Sequence, residues 1–243
     1  MITGITVCVD YWDILDITID GWKRLCDEVI IITDMKSLRV FDEAKYKGCI
    51  VYGTDAFYRN GATFNKGLAI EEVVTNLDKY IKDWVCFFDA DIYLDNVKID
   101  TGTLNKKTLY TPFRKIIPME KVKDIDTLEL KKYPMYPESE FAGYFQLFHK
   151  DCKERPWYSV DWKHAGGCDS DFQAKFYPEN KIRPDFYVYH LGEPGINWNG
   201  RAQPYVNGDK PNNMLNNRAK QAEMFVKRRI NGNYNSEKIW EKR

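Results

Sequence analysis

The clearest chemistry lies in Asp89 and Asp91, within the run Phe87-Phe88-Asp89-Ala90-Asp91-Ile92-Tyr93-Leu94. An apolar stretch ends there in two carboxylates two residues apart. If the chain stays extended, both side chains project to one side. Clustered carboxylates repel each other unless a cation joins them. Hard divalent ions such as Mg²⁺ and Mn²⁺ favour oxygen ligands and bridge carboxylate to phosphate. The pattern therefore points to a metal-assisted site for a phosphorylated substrate. Turn aspartates after a strand are the bland reading, and the buried strand before them weighs against it.

The flanking pattern says what positions these residues. Short apolar, β-branched runs at 5–9, 29–33, 49–52 and 84–88 read as strands. Between them, Leu15, Ile19, Trp22 and Cys26 keep helical spacing. A second helix starts near Asn65 and carries Ile70, Val73, Val74, Leu77 and Ile81 on one face. Alternating strands and helices imply βαβ units and a mostly parallel sheet, which binds ligands at the carboxyl ends of its strands. Asp89 and Asp91 stand at such an end. After about residue 100 the pattern changes. Strands are expected at 109–113, 144–148 and 186–190, and a charged helix or loop facing solvent at 119–132. A short helix with an Asp cap is expected at 169–176. Residues 193–213 are rich in Gly, Pro and Asn and predict a long loop. Leu215, Ala219, Ala222, Phe225 and Val226 mark an amphipathic C-terminal helix.

Composition narrows the class. The 243 residues carry 36 Lys+Arg against 36 Asp+Glu, with 44% hydrophobic and 30% charged residues. That excludes a disordered chain, a coiled coil and a collagen-like fibre. The zero net charge averages two unlike halves. Residues 1–104 hold 11 Lys+Arg against 18 Asp+Glu, and residues 105–243 hold 25 against 18. Residues 201–243 alone carry 10 against 4. A uniformly basic nucleic-acid binder is excluded, but a local basic face for an anionic partner is not. No stretch approaches the roughly 20 apolar residues of a membrane span, and Met1–Ile5 shows no signal-peptide pattern. The expected location is cytoplasmic, or peripheral to a membrane. Six scattered cysteines without a Cys-x-x-Cys pair read as reduced, buried small hydrophobes rather than zinc ligands.

An Asp-x-Asp after the fourth strand of an α/β domain resembles the metal motif of GT-A glycosyltransferases. Val7-Cys8-Val9-Asp10-Tyr11 resembles the start of their nucleotide pocket, and Thr33-Asp34 the strand end where a carboxylate meets the base. Phe64-Asn65-Lys66-Gly67-Leu68-Ala69 resembles the helix start that lies over the nucleotide. Residues 141–148 resemble the acceptor-side strand. Gly166-Gly167-Cys168-Asp169-Ser170-Asp171-Phe172 is similar to the acidic motif of β-galactosyltransferase-like members. It departs from them at Cys168 and Ala165.

The resemblance implies a GT-A, Rossmann-like, mostly parallel central sheet flanked by helices, with a smaller mixed sheet on the acceptor side. It implies a nucleotide-sugar-binding half at 1–104 and an acceptor-binding half at 105–192. Residues 193–243 would follow as a mobile loop and a basic helix. The metal, Mn²⁺ or Mg²⁺, would be held by Asp89, Asp91 and His190. The donor, a nucleoside-diphosphate sugar that is most simply UDP-linked, would meet Val9, Tyr11, Asp34, Asn65, Lys66, Asp89 and Ala90. Trp198 and Arg201 would close over it, excluding water from the activated sugar. Asp169, with Asp171 second, would take the proton from the acceptor hydroxyl in an inverting reaction. His164 is a further acceptor-side candidate. The acceptor could be a glycan, a lipid-linked sugar, a protein or a modified (hydroxymethylated) DNA base.

Two other classes compete. A nucleotidyltransferase also uses paired carboxylates and a metal, but expects a Gly-rich basic loop after its first strand. This chain has Asp10-Tyr11-Trp12-Asp13 there. The third class is a non-catalytic nucleotide-sugar or glycan-binding domain, suggested by 16 Tyr and 7 Trp.

Overall fold

A computed structural model describes residues 1–39, 42–62, 64–137, 140–162 and 167–192, together with the backbone of 239–240. Its first half is the expected alternation. β1 (Ile2–Val7), α1 (Trp12–Leu25), β2 (Glu28–Thr33), the one-turn α2 (Met35–Leu38) and β3 (Ile50–Gly53) come first. α3 (Lys66–Asn76) and β4 (Trp84–Asp89) follow. Next are β5 (Ile92–Tyr93), β6 (Leu109–Tyr110), β7 (Phe113–Ile117), β8 (Phe145–His149), α4 (Cys168–Ala174), β9 (Lys181–Ile182), β10 (Tyr187–Leu191) and β11 (Ile239–Trp240). The large sheet has the order β11-β3-β2-β1-β4-β8-β6-β9, and a small sheet the order β5-β10-β7. β3, β2, β1 and β4 run parallel, and β8 returns antiparallel beside β4. The chain is thus an α/β protein with a mostly parallel central sheet, flanking helices and a smaller mixed sheet.

β4 shows how the sheet is held. Its side chains alternate between the two faces, so Phe87 and Phe88 enter different cores. Phe88 stacks on Trp22 of α1, with ring centroids 3.7 Å apart. Phe87 meets Tyr158 at 4.6 Å on the opposite face, beneath α3. Both are buried, and full burial of such a side chain stabilises by about 1.5–3 kcal/mol. The Trp22 indole N–H is not left unmet, because it donates to the Ile92 carbonyl at 2.8 Å.

Several sequence expectations need correction. The strand expected at 109–113 is two strands in different sheets. Pro112 lacks an N–H and breaks the ladder between β6 and β7. The charged segment 119–132 is not merely solvated. Its 3₁₀ turns bury Met119, Val122, Ile125 and Leu130 against Ile14, Ile117, Tyr189 and Leu191 as a third core. α4 is not capped by Asp169. Its cap is Gly167, at φ 102°, and Asp169 lies in the first turn. A side chain at Gly167 would run into the Trp162 ring. The six cysteines form no disulfide, and all but Cys152 are buried. The loop and helix expected over 193–238 lie outside the described residues. No described helix is long and apolar enough to cross a membrane.

One glycine fixes where α3 starts. A Cβ at Gly67 would overlap the main-chain oxygen of Ser159. That backbone cannot swing aside, because the Asn65 side chain donates to the adjacent Val160 carbonyl at 2.6 Å. Gly67→Ala is expected to cost roughly 1–3 kcal/mol, as overpacking does. Thermal unfolding checks it, and an unchanged Tm would show that segment 157–160 yields freely.

Candidate functional site

The carboxyl ends of β1, β2, β3 and β4 open on one edge of the large sheet. β1 and β4 pair so that Val7 lies beside Asp89. The chain does not stay extended after Asp89, as the simplest reading of the motif requires. It turns at Ala90–Asp91 and leaves the large sheet for β5 of the small one. Two bonds to main-chain carbonyls hold this turn. Thr18 Oγ1 donates to Ala90 O at 2.7 Å, and Leu191 N donates to Asp91 O at 2.9 Å. Asp89, at the end of β4, and Asp91, in the turn, therefore meet different partners.

Asp89 pairs with Lys66. Lys66 opens α3, and its Nζ lies 3.1 Å from Asp89 Oδ1. Burial opposes the ammonium charge, but the carboxylates of Asp89 and Asp169 outweigh it and hold Lys66 above its ordinary range. Burial likewise pushes the Asp89 carboxyl up. The charge and hydrogen bond of Lys66, helped by His190 and Arg114, override that and hold it below the usual carboxylate range. Lys66 thus pairs directly with the carboxylate at the end of β4 and feels the charge of Asp169 in α4.

Asp91 pairs with His190. β5 and β10 run antiparallel with His190 beside Ile92, so the imidazole reaches back across the turn. Asp91 and His190 are 8% and 7% exposed, and His190 Nε2 lies 3.5 Å from Asp91 Oδ2. His190 Nδ1 lies 2.7 Å from the Gly192 carbonyl. That oxygen only accepts, so Nδ1 carries the proton. In the neutral ring the lone pair of Nε2 then faces a carboxylate, an arrangement that a cation between them relieves. A carbonyl fixing the far nitrogen in this way is usual for metal-ligating histidines. The donor set fits a hard divalent ion. Among the described residues no cluster of three or more such side chains could hold a metal unaided. Substrate oxygens would have to complete the shell.

Asp169 and Asp171, both in the first turn of α4, have different surroundings. Asp169 Oδ2 accepts from Gly143 N at 2.9 Å. The fit is close, and a Cβ at Gly143 would lie 2.7 Å from that of Asp169. Beside it, buried Tyr158 donates to Gln146 Oε1 at 2.6 Å. Burial first, and Asp169 second, push the Tyr158 phenol well above its ordinary range. Exposed Asp171 instead accepts from Trp162 Nε1 at 2.6 Å and holds that indole beside Gly167. The structure thus brings Asp89, Lys66 and Asp169 into one group and Asp91 and His190 into an adjoining one. Asp171 stands outside both.

The remaining sequence candidates have structural work. Asp34 is fully buried. It accepts from Ser37 N and from the Tyr58 hydroxyl, both at 2.7 Å, and so caps α2. Burial pushes its carboxyl above the usual range, against those two bonds. Asn65 caps α3 by accepting from Leu68 N at 2.8 Å. Val9 and Ala90 are nearly buried. Tyr11 stands half-buried where α1 begins. Asp10 takes a left-handed conformation at φ 61°, and its N–H donates to Ser37 Oγ at 2.8 Å. The loop after β1 is thus stapled to α2 and is no glycine-rich phosphate cradle. Trp198, Arg201 and His164 lie outside the described residues. Sequence reasoning passed over Arg114. Its signal was the alternation of β7, which places it on the face shared by His190.

No family model and no curated protein sequence matches the chain. Among solved structures it is similar to a mycobacterial protein at 16% identity and TM-score 0.44, over 79% of this chain and 66% of that one. A 4-diphosphocytidyl-2C-methyl-D-erythritol synthase from Anaerococcus prevotii aligns at 14% identity and TM-score 0.44, over 78% and 87%. The catalytic domain of Drosophila β1,4-galactosyltransferase 7, solved with xylobiose, aligns at 13% identity and TM-score 0.43, over 93% and 79%. With TM-scores below 0.5, these likenesses carry no functional argument, which rests on the residues of this chain.

Proposed function

We propose that the chain is a metal-dependent glycosyltransferase that moves a sugar from a nucleoside-diphosphate sugar, UDP-linked, to an acceptor hydroxyl with inversion. One observation carries the reading. Asp91 and His190, from the turn and the small sheet, meet 3.5 Å apart beside the group formed by Asp89, Lys66 and Asp169. A cation-binding pair, a fixed ammonium and a separate carboxylate are what transfer from a diphosphate needs.

In this reading Asp91 and His190 hold Mn²⁺ or Mg²⁺, with Asp89 close by. When bound, the ion neutralises the leaving diphosphate as a Lewis acid. Lys66 keeps Asp89 ionised and lends positive charge to the phosphate side of the cleft. Residues 1–104 supply the donor side and 105–192 the acceptor side. Asp169, held by the Gly143 N–H, takes the proton from the acceptor hydroxyl as that oxygen attacks the anomeric carbon. Asp171 orients Trp162, whose flat ring suits a sugar face. The acceptor is a glycan or a hydroxymethylated DNA base.

Mass spectrometry of products from a panel of sugar nucleotides and acceptors with Mn²⁺ tests this. Transfer, or slow donor hydrolysis, from one UDP-sugar is expected, with loss on chelation. A DNA acceptor predicts turnover that falls steeply with added salt, and a neutral glycan predicts little change. Tight nucleotide and metal binding without transfer or hydrolysis on any donor would leave a binding module instead.

A further inference from the structure

The turn that carries Asp91 is held from one face of α1. Thr18, Gly21 and Trp22 are three and four residues apart on that helix, so they share a face, and all three are buried. A threonine inside a helix ordinarily bonds a carbonyl of its own preceding turn. Thr18 has that option in the Leu15 carbonyl, 3.3 Å away. Its hydroxyl has one proton to give, and the Ala90 carbonyl stands closer, at 2.7 Å. The hydroxyl therefore serves the turn rather than the helix. Four residues on, Trp22 Nε1 donates to the Ile92 carbonyl at 2.8 Å. Between them Gly21 lets the helix come close, since a Cβ there would stand 3.1 Å from that of Leu94.

These bonds fall on consecutive peptide units. The Ala90 carbonyl lies in the plane that also contains Asp91 N and Cα. The Asp91 carbonyl accepts from Leu191 N of β10 at 2.9 Å, and the Ile92 carbonyl from Trp22. The peptide planes on both sides of Asp91 are thus fixed, and with them the direction in which its side chain leaves the backbone. Trp22 also stacks on Phe88, the residue before Asp89. Helix α1 therefore references the turn to β4, while Leu191 references it to the strand of His190. Thr18 reaches the turn through a main-chain oxygen, so its effect on chemistry passes through Asp91. Resting on the metal-dependent reading above, we propose that Thr18 is a positioning residue. Its hydroxyl sets the Asp91 carboxylate against His190 at the separation that accepts a divalent ion, and its loss weakens metal binding without removing a ligand.

The test compares Thr18→Val, which keeps the shape and removes the hydroxyl, with Thr18→Ser, which keeps the hydroxyl. Ile19→Val, a buried apolar truncation one residue on, is the control for packing alone. Mn²⁺ is titrated calorimetrically with UDP present, and the histidine ring signals are followed by NMR without metal at one pH. Thr18→Val should bind Mn²⁺ about tenfold or more weakly, as loss of a group that orients a metal ligand does. It should also move the His190 ring signal and leave that of His149, which meets Trp84 at the other end of β4. Thr18→Ser should stay within about threefold of wild type, because the hydrogen bond is kept. Ile19→Val should bind Mn²⁺ as wild type does, even where its Tm falls as far as that of Thr18→Val. Should Thr18→Val not fold, Thr18→Ala replaces it in the same comparison. Wild-type Mn²⁺ affinity in the variant without the hydroxyl overturns the proposal. So does an equal loss in Ile19→Val, or no recovery in Thr18→Ser, because Thr18 would then serve packing only. If wild type itself binds no Mn²⁺, the metal reading fails instead. The His190 signal then decides the positioning role, a moved signal supporting it and an unmoved one overturning it.

Discussion

Asp91→Ala should lower sugar transfer at least about a thousandfold. The reason is electrostatic. A metal at a leaving diphosphate supplies several kcal/mol of charge stabilisation, and about 4 kcal/mol equals three powers of ten in rate. Removing Asp91 leaves His190 Nε2 as the lone donor of the proposed pair. The fold should survive, because the strand-side bond of residue 91 uses its main-chain oxygen, which accepts from Leu191 N. Thermal unfolding should therefore move by only a few degrees while Mn²⁺ affinity collapses. Asp91→Asn, similar in shape but uncharged, should lie between. Calorimetric Mn²⁺ titration with UDP present gives the direct readout. If Asp91→Ala binds Mn²⁺ as wild type does and still turns over, the metal assignment fails.

This expectation depends on a geometry that the sequence showed only in part. The run 84–91 reveals a buried strand ending in carboxylates, and the repeated strand–helix pattern reveals the parallel sheet around it. Both are local signals written in apolar periodicity. The turn at Ala90–Asp91 is not local. It arises because β5 has β10 to pair with, almost a hundred residues later, and because Thr18 of α1 binds Ala90 O. Pairing across such distances leaves no mark in a window of ten residues. For the same reason the surroundings of Asp34 were not legible: its partners Ser37 and Tyr58 come from α2 and a segment 24 residues on. The helix start near Asn65 was legible, and there the Asn65 side chain accepts from Leu68 N. Arg114 stayed hidden because its aromatic neighbours come from segments 22 and 30 residues further on.

The charge pattern along the chain gains a place in this geometry. The acidic first half contributes Asp89 and Asp91. Lys66, from the same half, keeps Asp89 from standing as bare negative charge. Arg114 comes from the more basic second half and adds its charge to those that hold the Asp89 carboxyl below the usual range.

Asp169→Asn should reduce transfer by about 10²–10⁴-fold, the range for loss of a general base, with UDP and Mn²⁺ affinities unchanged. The amide keeps the shape of the carboxylate and can still offer an oxygen to the Gly143 N–H, so segment 141–146 keeps its anchor. Only the ability to hold a proton is removed. Asp169→Ala is a poorer test, because it also strips the bond that positions Gly143 and leaves that N–H unmet. Asp171→Asn is the matched control. It weakens the bond to Trp162 Nε1 and touches neither Lys66 nor Gly143, so turnover should fall by less than about tenfold, as for a lost hydrogen bond. A large ratio between the two variants assigns the base to Asp169, and equal losses remove that assignment. Product stereochemistry by NMR closes the argument. An inverted anomeric centre requires a base opposite the leaving group, and a retained one would leave Asp169 without the role its placement suggests.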